Sequence, residues 1–188
     1  MKTINILFGL VWSLTVYSQN FKPDTTINQI NLESSKTLIE KLKADTSKIH
    51  EAFKEGLGDI GFPHIDILNK THNQILTLIF HPGNWSYAFS EFKVRSVDKK
   101  ATNNKIFFND SEFITEKGIK LGTLRNDLIK KIGKPTTIKK ENGIETIEYR
   151  TTDQNSGILK RYGQVGYFAT YKLKDDKVIE FHFGFDYP

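Results

Sequence analysis

The residues able to do chemistry in this 188-residue chain are few and scattered. Five histidines, His50, His64, His72, His81 and His182, show neither a His-Glu-x-x-His pair nor any other paired-ligand spacing. His64 and Asp66 share one strand parity, a common pairing with no third partner. His81 precedes Pro82 in a turn, where a hydrogen-bonded turn role is expected ahead of ligation. No Gly-x-Ser-x-Gly elbow exists, and Gly157, Gly163 and Gly166 are spaced too loosely to cradle a phosphate. Cysteine is absent, which removes thiol catalysis, disulfides and thiolate metal sites. The sequence thus predicts no catalytic residue, no metal and no cofactor.

What remains is binding chemistry, and strand alternation says where to look. Towards the C-terminus Ile147 and Tyr149, then Tyr167, Ala169 and Tyr171, then Ile179, Phe181, Phe183 and Phe185 hold one apolar parity and are assigned to the core. The opposite parity carries Thr146, Glu148 and Arg150, then Phe168, Thr170 and Lys172, then Glu180 and His182. Aromatic, cationic and hydrogen-bonding groups mixed in this way resemble the anchors of protein interfaces. Arg150, Phe168, Lys172 and His182 are therefore candidate binding residues. Trp85 and Tyr87 join them from an aromatic stretch in the first half. An ordinary solvated sheet face is the alternative reading.

The elements that would position these residues are signalled locally. In Gly118 to Pro135, Thr123 is placed as an N-cap, Leu124, Leu128 and Ile132 recur at helical spacing with Ile129 beside them, and Gly133 and Pro135 stop the helix. Ser34 caps an earlier helix through Leu38, Ile39 and Leu42, and a short second one is expected over 47–55. Strands follow at 62–68, 75–80 and 85–94 as a meander, with a bulge near Ser90 and Glu91. Beyond the Gly118–Pro135 helix, Asn142-Gly143 marks a hairpin, 151–164 reads as a loop, and a closing hairpin turns at Asp175-Asp176.

A short helix between Gly118-x-x-x-Gly122-Thr123 and Gly133-Lys134-Pro135, followed by strands, resembles the repeat of the SmpA/OmlA (BamE-like) lipoproteins and of the β-lactamase-inhibitor-protein-like fold. The resemblance implies an α+β fold, a helical hairpin packed on an antiparallel sheet, and a role in binding another protein outside the cytoplasm. Matched pairs such as Ile30-x-Leu32 with Ile119-x-Leu121 and Glu91-Phe92-x-Val94 with Glu180-Phe181-x-Phe183 predict a degenerate tandem repeat of roughly 80 to 90 residues. The expected organisation is a signal peptide at 1–18, a first repeat at 19–94, a connector at 95–117 and a second repeat at 118–188.

The signal peptide is read from Lys2, the apolar run Ile6 to Val16 and Val16-Tyr17-Ser18, with cleavage before Gln19. The run is too short and too broken by Ser13 and Thr15 to span a bilayer, so no stable membrane insertion is expected after cleavage. Without cysteine the lipid anchor of the SmpA/OmlA proteins cannot be carried over. A formal charge of +5, with 27 basic and 22 acidic residues interspersed, excludes a clustered nucleic-acid-binding stripe and favours an acidic partner. The expected product is a periplasmic or secreted, non-enzymatic protein-binding module of the bacterial envelope, of assembly or scaffold type. An inhibitor or immunity protein that blocks an enzyme is the alternative, followed by a hydrolase with an unrecognised site.

Overall fold

The structure, a computed structural model, describes residues 21–43, 45–47, 49, 62–81, 83–84, 87–97 and 106–187. Two short strands, β1 (Thr26–Ile27) and β2 (Ile30–Asn31), pair with each other and lead into helix α1 (Lys36–Lys41). Strands β3 (His64–Leu68), β4 (Gln74–Ile79) and β5 (Glu91–Ser96) follow, then α2 (Arg125–Ile132), β6 (Thr137–Glu141), β7 (Ile144–Thr151), α3 (Gly157–Tyr162), β8 (Tyr167–Lys174) and β9 (Lys177–Phe185). Seven strands form one antiparallel sheet in the order β3-β4-β5-β9-β8-β7-β6.

This corrects the expected fold. The molecule is mostly antiparallel β, not a helical hairpin packed on a sheet as an α+β tandem repeat. Helices α1, α2 and α3 are only six, eight and six residues long, and strands separate each from the next. Gly133 and Pro135 do stop a helix, but they end α2 after two turns and hand the chain to β6 instead of to a second helix. The second helix expected over 47–55 lies largely outside the described residues.

Register explains where the core sits. Cross-strand neighbours share a face. Ile67, Leu76, Val94, Phe181, Tyr171 and Ile147 line up across six strands, and Ile65, Leu78, Phe92, Phe183, Ala169 and Tyr149 form the row beside them. All are buried. Ile27, Ile30, Leu32, Leu38, Phe113, Ile119, Leu128, Ile132 and Leu159 complete the same apolar cluster from the N-terminal segment, the helices and the loop before α2. Ile179 departs from its expected place in the core and is 37% exposed. Lys172 pairs with Glu180 but Leu173 pairs with Val178, so Ile179 is the extra residue of a β-bulge and Val178 turns inward in its stead.

Several local expectations change in the same way. Leu124, not Thr123, is the N-cap of α2 and is half exposed, because the Thr123 hydroxyl is taken by the Lys120 N–H in the preceding turn. The loop at 151–164 contains α3, capped by Ser156 and ended by Gly163 in the left-handed conformation. The third strand starts at Glu91 and not at Trp85. Tyr87 sits in a turn with φ of 62°, and Ser90 is held by its hydroxyl on Glu33 at 2.5 Å and by Asn84 at 3.0 Å.

The N-terminal segment is strapped to the second half. Glu116 accepts the backbone N–H groups of Thr25 and Thr26, each at 2.7 Å, and both their hydroxyls. The Tyr167 hydroxyl donates to the Asp24 carbonyl at 2.6 Å, and Phe21 stacks on Tyr149.

Candidate functional site

The outer face of the sheet is built in three rows by the same register. His64, Ile79, Glu91, Gly184, Phe168 and Arg150 make one; Asp66, Thr77, Lys93, His182, Thr170 and Glu148 the next; Leu68, Ile75, Arg95, Glu180, Lys172 and Thr146 the third. Over β3 and β4 much of this face is buried, Ile75, Thr77 and Ile79 being nearly inaccessible. Over β7 and β8 it is open among the described residues, with the Arg150 and Lys172 side chains 55% and 45% exposed.

Four of the six expected binding residues therefore share this face. Phe168 lies edge-on to His182, with ring centroids 4.9 Å apart, and the Arg150 guanidinium sits 6.0 Å from the Phe168 centroid. Arg150 donates to Asp186 at 2.5 Å. Lys172 stands one row beyond His182 and is bound to Glu180 at 2.9 Å, with Lys93 at 3.6 Å on the same carboxylate. Those two lysines outweigh burial and hold the Glu180 carboxyl below its ordinary value. Tyr87 packs partly buried against the core and is not part of this cluster. Trp85 lies outside the described residues.

Glu91 and His81 belong to the site but were not expected in it. Glu91 accepts from His81 Nε2 at 2.5 Å on one oxygen and from His182 Nε2 at 2.6 Å on the other. Burial works to raise the Glu91 carboxyl, but the hydrogen bonds and charges of His182 and His81 outweigh it and leave the group below its ordinary value. An ionised carboxylate only accepts, so each imidazole carries its proton on Nε2. The His81 ring is packed between Phe62 at 4.4 Å and Tyr187 at 4.5 Å. Its Nδ1 is buried and has no partner among the described residues. Burial raises the Glu33 carboxyl against the opposing pull of the Ser90 hydroxyl and of His81. The link from Glu91 to His182 crosses between β5 and β9, which pair although they are far apart in the chain, so no local pattern announced it. The link to His81 depends on a turn whose path the sequence does not encode as a pattern.

Gly184 brings the β9 backbone close against β5 at this site. A Cβ there would collide with the Ser90 carbonyl and the Glu91 backbone, so the first row carries no side chain between Glu91 and Phe168. A cleft of about 490 Å³ lies nearby, bordered by Phe62, His81, Glu91, Phe168, Asp186 and Tyr187. Chemically it offers aromatic walls, two carboxylates and the His81 imidazole. Among the described residues no nucleophile is hydrogen-bonded to either histidine, and no group of three or more His, Asp or Glu is arranged to hold a metal ion.

No protein family, curated protein or solved structure matches this chain.

Proposed function

We propose that this is an exported, non-enzymatic protein-binding module of the bacterial envelope, of assembly or scaffold type, that engages its partner through the open face of β7, β8 and β9. The observation that carries the reading is Phe168, a partly exposed aromatic side chain set between Arg150 and His182 on a face that no described element covers. Aromatic and arginine side chains beside a cleft are the usual anchors of protein interfaces. Export is supported by the apolar run at 6–16 and the small residues before Gln19. Among the described residues no helix is long and apolar enough to cross a membrane. The Gly118–Pro135 motif, in its resemblance to envelope lipoproteins, points to the same compartment. Arg150 and Lys172 at the exposed margin suit acidic groups on the partner's surface.

The test is a pull-down from envelope extract with the wild-type chain, Phe168→Ala and Arg150→Ala side by side. Each substitution should weaken capture of the specific partner by more than about 1 kcal/mol while melting stays close to wild type. Outer-membrane barrel or peptidoglycan-associated proteins as the lost species would fit assembly. A single enzyme whose activity falls on binding would make the chain an inhibitor instead. Equal capture by all three proteins would remove this face from consideration. Mass spectrometry of the exported product should show a chain beginning at or near Gln19.

A further inference from the structure

The seven-stranded sheet ends differently at its two edges. Beside β3 the chain returns at 106–110: the Leu68 N–H donates to the Ile106 carbonyl, the Phe108 N–H to the Leu68 carbonyl, and the Lys70 N–H to the Asp110 carbonyl. At the opposite edge lies β6, and among the described residues nothing pairs with its outer side. In an antiparallel pair every second residue turns its N–H and C=O away from the partner strand, so β6 presents free backbone donors and acceptors to solvent. Four of its five residues are exposed.

Register sorts the β6 side chains. Ile138 stands opposite Ile147 and so ends the buried row that runs through Tyr171 and Phe181, yet it is 43% exposed because no eighth strand covers it. Lys139 stands opposite Thr146 on the outer face, in the row of Lys172, and Lys140 stands opposite Glu145. Lys139 pairs with Glu148 at 3.8 Å and Lys140 with Glu145 at 3.6 Å, but the lysine side chains are 60% and 74% exposed. Such loose surface pairs leave each ammonium donors for a second carboxylate. Lys134, just before the strand, is exposed and adds a third cation.

A second copy of the chain is the first candidate for an open edge. Antiparallel pairing centred on β6 would set Lys139 against Lys139 and Ile138 against Lys140, which places like charges opposite each other and leaves the apolar residue without an apolar neighbour. A basic strand meets the same repulsion. An extended acidic segment gains the backbone bonds, meets the lysines with opposite charge, and can cover Ile138 with an apolar residue of its own.

We propose that β6 receives an acidic extended segment of another protein as an eighth strand of the sheet. Running antiparallel to β6, the segment places two acidic residues opposite Lys140 and Lys139 and then an apolar residue opposite Ile138. This edge uses none of Arg150, Phe168 and His182, so it stands or falls apart from the binding reading above.

The probes are two capped peptides, Thr-Thr-Glu-Glu-Val-Thr-Thr and its Lys-Lys-Val counterpart, titrated into the purified chain and followed by NMR and amide exchange. The acidic peptide should shift resonances of 137–141, slow exchange of the outward-facing β6 amides severalfold, and bind at least about tenfold more tightly than the basic one. N-methylation of alternate peptide residues separates strand pairing from simple charge attraction: one parity should abolish binding and the other should be tolerated. Lys139→Glu with Lys140→Glu should reverse the preference between the two peptides. Should that change lower the melting temperature through repulsion from Glu145 and Glu148, Lys139→Gln with Lys140→Gln must still weaken the acidic peptide severalfold. Ile138→Thr should also weaken it severalfold, with melting close to wild type. No protection of β6 by the acidic peptide at millimolar concentration would overturn the proposal and leave the lysines as guards against pairing. Equal tolerance of both N-methylation patterns would overturn it too, as would a dimer in sedimentation that Ile138→Thr dissolves, since the edge would then belong to a second copy.

Discussion

Asp24 is fully buried, and burial pushes its carboxyl from 3.8 up to about 6 against the pull of Lys117 at 3.5 Å. The fold thus favours the neutral acid. Its contribution to stability is complete below about pH 4 and is lost as pH rises through about 6, a span worth on the order of 3 kcal/mol. Asp24→Asn keeps the shape without the charge, so it should melt higher than wild type near neutral pH and show a flatter dependence between about pH 4 and 7. Calorimetric melts across that range check this; an equal loss of stability at every pH would mean the carboxylate is a structural partner of Lys117 instead. The core and open faces predict a second contrast. Phe181→Ala should cost about 3 to 5 kcal/mol, because it empties a fully enclosed site, whereas Phe168→Ala should cost much less. At this scale alternation was a good guide: it set Arg150, Phe168, Lys172 and His182 on one face. It failed at Ile179, where a bulge resets the parity, and it could not supply His81, which reaches Glu91 from a turn.

Among the elements, hairpins were the most legible because their turn chemistry is local. Asn142 and Gly143 have φ of 50° and 76°, and Asp175 and Asp176 have 50° and 58°, both the twisted two-residue turn that matches antiparallel strands. Asp176 holds this conformation without being glycine. Asp176→Gly should raise stability by a few tenths to about 1 kcal/mol, since the backbone carbonyl that accepts from Arg125 is kept. A lowered melting temperature would show that the Asp176 side chain matters more than its backbone strain. Helices were harder to read. The stop signals of α2 identified a helix correctly, but such signals say nothing of what lies next to it, and no hairpin of helices formed among the described residues. Ser156 and Gly163 bracket α3 with equally good cap residues, and its six residues were too few to give a periodic stretch.

For the whole molecule the decisive contact is between β5 and β9, which joins the first strands to the last. Phe92 meets Phe183 and Val94 meets Phe181, pairings between residues far apart in the chain that no local pattern announces. Gly184 lets the two backbones approach there. Gly184→Ala should therefore cost about 1 to 3 kcal/mol or more, because its methyl would strike backbone rather than a side chain able to move. Calorimetric melting reads this, and an unchanged melting temperature would show that β5 can withdraw without loss. The position of β9 has a further consequence, for how the chain is made. The nine residues of β9 are the last described strand to be synthesised, yet they lie between β5 and β8. Before they arrive the sheet consists of two separate three-stranded pieces, β3-β4-β5 and β8-β7-β6, with raw edges at β5 and β8. Such edges pair readily with other chains. The sheet cannot close until β9 has been made, and the interval before that strand docks is when the protein is most exposed to aggregation.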